Sequence, residues 1–62
     1  MIWKRTKEDG CTVLRSGDFE IVQLYEPNPE GGWQLNRWGR FYATCRSEKA
    51  AKGLAEELNR TD

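Results

Sequence analysis

Ten consecutive residues, Arg37 to Arg46, set three arginines among aromatic side chains that include Trp38 and Tyr42. Groups of this kind do the chemistry of contact rather than of bond-making. Trp and Arg are the types most enriched at the energetic centres of protein interfaces, and the same pair can stack on nucleobases and meet phosphates. Arg37, Trp38, Arg40, Tyr42 and Arg46 are therefore the candidate partner-binding residues. Trp38 weighs most among them, because the glycine that follows it reads as a reverse turn and puts a large apolar ring at a hairpin tip. The competing reading folds Trp38 back over its own hairpin, with an arginine stacked on the ring as a cation–π pair.

Catalytic chemistry finds little to work with. The chain has no histidine, so the commonest general base is missing along with every Ser–His or Cys–His arrangement. Asp18, Glu20, Glu26 and Glu30 have no spacing that forces two carboxylates together, and Glu56 and Glu57 diverge on a helix as a solvated face. Gly31-Gly32 precedes a strand, whereas a phosphate loop precedes a helix N-terminus. Cys11 and Cys45 without histidine do not make a mononuclear zinc site. The expectation is a protein that is not an enzyme and takes no cofactor or metal.

Ten basic and ten acidic residues cancel. Neutrality weighs against nucleic-acid binding, although a one-sided basic patch stays compatible with it. The opening "MIWKRTKEDG" has no apolar core of a secretory signal, and no run approaches the ~20 apolar residues of a membrane span. A soluble cytoplasmic protein is expected, without membrane partners and with both thiols reduced.

The elements that must hold these residues are read from pattern. Ala51, Leu54, Ala55 and Leu58 recur at helical spacing, widened by Ala50. Ser47 is a good N-cap and Glu48 suits the positive end of the helix dipole. Gly53 sits within that helix at a cost of about 1 kcal/mol relative to Ala. Ahead of it, strand-like runs alternate with turn residues: Glu8-Asp9-Gly10, Ser16-Gly17-Asp18, and a loop from Pro27 to Gly32 in which two prolines stop the strand. The result is a single α+β domain, an antiparallel meander of three to four strands with one C-terminal amphipathic helix packed on one face. Strands fall within 2–7, 11–15, 19–26, 33–37 and 40–46, the first being a short optional one, and the helix spans 47–60. A chain this short buries only about 60% of the surface its unfolded form exposes, so stability should be modest.

Parity constrains the last hairpin, since a one-residue slip exchanges the two faces. A two-residue Trp38-Gly39 loop would set Leu35 opposite Tyr42 and Trp33 opposite Thr44, splitting the apolar residues between faces. A three-residue loop, Arg37 to Gly39, pairs Asn36 with Arg40 and gathers Trp33, Leu35, Phe41, Ala43 and Cys45 on the helix side, with Gly39 in the left-handed position such loops favour. Gln34, Asn36, Tyr42, Thr44 and Arg46 then face solvent. Trp33 is expected in the core and Trp3 over the sheet edge. Phe19 and Ile21 share one face while Val22 and Leu24 take the other, which calls for a bulge or for cover by the N-terminal segment.

The segment "GWQLNRWGRFYATCRSEKAAKGLAEEL", Gly32 to Leu58, resembles very short bacteriophage proteins with a Trp-initiated strand, a Gly turn, a second strand and a Ser-opened, Ala-rich helix. That likeness implies a phage or mobile-element origin and a non-enzymatic binder of a host or phage protein. "RWGRFYATCR" is similar to the Trp-Gly-basic-aromatic run of AP2-type DNA-binding domains, which implies DNA contacts by Arg37, Trp38, Arg40 and Arg46. In that family a further strand follows, whereas here Ser47 opens the helix. "SEKAAK" is similar to the helix opening of double-stranded-RNA-binding domains, whose preceding N-terminal helix has no counterpart here. The leading expectation is a protein-binding module acting through the hairpin tip and open sheet face. A DNA- or RNA-binding domain is the alternative, and homodimerisation through the exposed edge or face a variant.

Overall fold

The computed structural model describes residues 1–24 and 32–61. The readings that concern Tyr25, Glu26, Pro27, Pro29 and Glu30, including the end of the third strand, lie outside the described residues. The chain is α+β: β1 (Lys4–Glu8), β2 (Cys11–Ser16), β3 (Phe19–Gln23), β4 (Trp33–Arg37), β5 (Arg40–Cys45) and α1 (Glu48–Thr61). All neighbouring strands pair antiparallel, in the order β1-β2-β3-β4-β5.

Among the described residues five strands, not three to four, make the sheet. The extra one is β1, whose "KRTKE" offers no apolar alternation for a sequence reading to catch. Its turn specifies it instead. Glu8 pairs with Cys11 across Asp9-Gly10, whose φ angles of 53° and 80° are both left-handed. Asp-Gly is among the preferred pairs for that mirror-image turn, whose twist matches the strands it joins.

The helix-facing side of the sheet carries Leu14, Phe19, Ile21 and Leu35, which form one buried cluster with Ala51 and Ala55 of α1. In register, Leu14 stands opposite Ile21 and Ile21 opposite Leu35, a row across β2, β3 and β4. Burying each of these three side chains contributes about 1.5–3 kcal/mol. The helix packs across β3, β4 and β5, and its two buried alanines let it lie close to the sheet. Trp3, Trp33, Cys45, Leu54 and Leu58 pack around the cluster, half-buried. Ser47 caps α1: its Oγ accepts the Ala50 N–H at 3.0 Å.

The outer face is less simple than a bare polar surface. Val13 is buried there, between Thr6 and Val22 in register. Neither explanation expected for Val22 holds. The β2–β3 and β3–β4 registers run without a bulge, and the N-terminal segment lies in the plane of the sheet as β1. Val22 faces outward by alternation with Ile21, and there it stands opposite Val13.

Candidate aromatic–arginine site at the β4–β5 hairpin

The last hairpin departs from the expected three-residue loop. Arg37 pairs with Arg40 directly, around a two-residue turn of Trp38 and Gly39 with φ angles of 54° and 75°. The ladder then shifts: Asn36 pairs with Phe41, but Leu35 pairs with Ala43. Tyr42 is the extra residue of a β-bulge. The bulge restores the parity that the short loop breaks, so Trp33, Leu35, Ala43 and Cys45 do share the helix side as expected. Phe41 does not. It passes to the outer face with Asn36, because two bulge residues oppose one on the partner strand.

That shift builds a surface. Trp38 is 65% exposed, Phe41 64% and Tyr42 49%. Together with Arg37 and Arg40 they line a shallow depression of about 270 Å³. Phe41 is the contact candidate that sequence reasoning missed. The signal was present in the short Trp38-Gly39 turn, which preserves parity once a bulge is allowed.

Two interactions fix the tip. The Trp38 N–H donates to the Asp18 carbonyl at 2.9 Å, tying this turn to the β2–β3 turn. The Arg37 guanidinium stacks over both the Phe19 ring, centroid at 4.8 Å, and the Trp38 ring at 4.1 Å. Phe19 belongs to the core, so Arg37 connects the exposed indole to buried structure. The stacked and the exposed reading of Trp38 therefore describe the same geometry: one ring face lies on Arg37 and much of the ring meets water.

Of the residues expected at the site, Arg37, Trp38, Arg40 and Tyr42 come together around the depression. Arg46 does not line it; it follows β5 at the strand's other end, about 20 Å from Arg40 at ~3.3 Å per residue. Gln34 and Asn36 are not available as an open face. Asn36 is only 9% exposed and donates to Glu20 Oε1 at 3.1 Å, while Gln34 donates to Asn36 Oδ1 at 2.9 Å. Arg15 completes this network, donating to Glu20 at 2.8 Å and to both carboxylate oxygens of Glu8. The Arg15 hydrogen bonds, followed by one from Thr6, hold the Glu8 carboxyl below the usual carboxylate range.

Charge is partitioned accordingly. Arg5 and Lys52 pair with Glu48, Arg15 with Glu8 and Glu20, and Arg60 with Glu57. Neither Arg40 nor Arg46 makes an ion pair among the described residues. Cys11 and Cys45 are free thiols, on opposite faces of the sheet. No described helix is long and apolar enough to cross a membrane, and no described group of three or more His, Cys, Asp or Glu side chains could hold a metal ion.

The fold and its surface thus define a small sheet-and-helix domain with an exposed aromatic–arginine hairpin. No family model matches the chain, and neither a curated protein nor a solved structure matches it significantly.

Proposed function

We propose that this protein is a non-enzymatic binding module that engages a macromolecular partner, most simply a host-cell protein, through Arg37, Trp38, Arg40 and Tyr42 of the β4–β5 hairpin, joined by Phe41. The phage-like pattern of Gly32 to Leu58 fits a mobile-element origin and action in the host cytoplasm. One observation carries the reading: Trp38 occupies a left-handed turn position at φ 54° and is 65% exposed. Such positions favour Asn, Asp or Gly, and a bulky side chain there is an outlier that points toward function. Phe41 and Tyr42 extend the ring into a patch, and arginines border it, the composition of an interface centre.

Nucleic-acid binding is the second reading, favoured by Arg40 and Arg46, which make no ion pair among the described residues. Against it stand the neutral chain and the Glu8 and Glu20 carboxylates on the same outer face. Salt and nuclease separate the two. Immobilised protein should retain a protein from host lysate after nuclease treatment and with weak dependence on salt. Retention that disappears with nuclease, or affinity falling steeply with log salt, would assign the hairpin to nucleic acid instead.

A further inference from the structure

We propose that the outer edge of β5 is a docking strand for an extended acidic segment of a partner protein, which pairs with the backbone from Ala43 to Arg46 while its carboxylates meet Arg40 and Arg46. This rests on the reading of the hairpin as a protein-contact site and specifies the partner's chemistry.

β5 ends the sheet order, so one side of its backbone has no partner strand among the described residues. An edge of this kind is a template for strand addition, in which main-chain hydrogen bonds give affinity and flanking side chains give selectivity. The bulge at Tyr42 interrupts regular pairing toward the tip and leaves the stretch after it regular. It also turns Phe41 and Tyr42 outward, where they offer an apolar shelf to alternate side chains of an added strand. Arg40 and Arg46, neither of which makes an ion pair among the described residues, stand at the two ends of this strand. They are about 20 Å apart, the length of roughly six extended residues.

A second copy of this chain fits the edge poorly. β5 and the residue after it carry Arg40 and Arg46 and no carboxylate, so pairing two copies edge to edge would gather four arginines along one seam with no anion among them. The other edge, β1, carries Lys4, Arg5 and Lys7, so β5-to-β1 association would also oppose cations. A phosphate chain crossing the outer face would pass Glu20 beside Asn36 and Phe41. An acidic strand lying in the plane of the sheet avoids that carboxylate and neutralises both arginines.

The test pans the immobilised full chain against a displayed library of random dodecapeptides. The selected peptides should be enriched in Asp or Glu. One of them, synthesised, should protect β5 amides between Ala43 and Arg46 from hydrogen exchange and shift their resonances. Arg40→Glu/Arg46→Glu, with an unchanged melting curve, should weaken that peptide at least about tenfold and select Lys- or Arg-rich peptides instead. Absence of selected peptides, selection without acidic excess, resonance changes confined to other surfaces, or displacement of the peptide by single-stranded oligonucleotide would overturn the proposal. A Trp38→Ala variant that loses the cellular partner, beside an Arg46→Glu variant that keeps it, would overturn the edge proposal alone and leave the hairpin reading standing.

Discussion

A tryptophan in the left-handed region carries two opposing terms. The backbone conformation costs a non-glycine residue about 1–2 kcal/mol, while an exposed cation–π contact such as the one with Arg37 returns about 0.5–1 kcal/mol. The balance is unfavourable, so at position 38 the preferred turn residue should fold better than the native one. Trp38→Asn is expected to raise the melting temperature by a few degrees, since 1 kcal/mol corresponds to about 4–8 °C in a domain of this size. Thermal unfolding followed by circular dichroism reads this directly, and a drop of similar size would mean that Arg37 stacking outweighs the turn strain. Much of this residue's story was open to sequence reasoning: Gly39 placed Trp38 in the turn, and an arginine stacked on its ring was one of the two readings weighed. What pattern could not supply was that stacking and exposure coexist, because that depends on Phe19 standing beneath Arg37.

Among the elements, α1 followed its apolar stripe and its Ser47 cap, and its observed bounds differ by a residue at either end. Local signals suffice where each turn repeats the same choice. The β4–β5 hairpin did not yield to the same treatment. Parity identified the correct faces for Trp33, Leu35, Ala43 and Cys45, but an odd loop and a short loop with a bulge satisfy parity equally. Choosing between them needs the tertiary preference for a turn twisted to match the strands. β1 was faint for the opposite reason, a strand with charges and one threonine whose pairing is set by the Asp9-Gly10 turn. Two substitutions in the helix test its packing. Gly53 has open space around its missing Cβ and ordinary helical backbone, so Gly53→Ala should stabilise by about 1 kcal/mol. Ala55 is fully buried against the sheet, so Ala55→Leu should destabilise by about 1–3 kcal/mol through overpacking. Denaturant melts would check both, and a tolerant Ala55 would show the helix-to-sheet contact to be loose.

The molecule as a whole is held by a thin core and by ion pairs that join distant segments. Glu48 in the first turn of α1 accepts from Lys52 and, through both carboxylate oxygens at 2.7 and 2.8 Å, from Arg5 of β1. These cations, Lys52 first, hold its carboxyl below the usual value of 4.5. A carboxyl lowered in the folded state contributes stability above the unfolded value, and that contribution disappears as pH falls through the folded one. Wild-type protein should therefore exceed Glu48→Gln in melting temperature at neutral pH, with the gap closing below about pH 4.5. A gap that persisted in strong acid would assign the effect to something other than this charge. Among the described residues Arg40 and Arg46 make no ion pair, which fits the proposed role of the hairpin end as a contact surface. Trp38→Asn offers the most direct trial of that claim, because it should remove the ring while preserving the turn. Bait protein carrying Trp38→Asn, confirmed to melt no lower than wild type, should lose most of the cellular protein that the wild type retains. Equal retention by a stably folded Trp38→Asn protein would contradict the account.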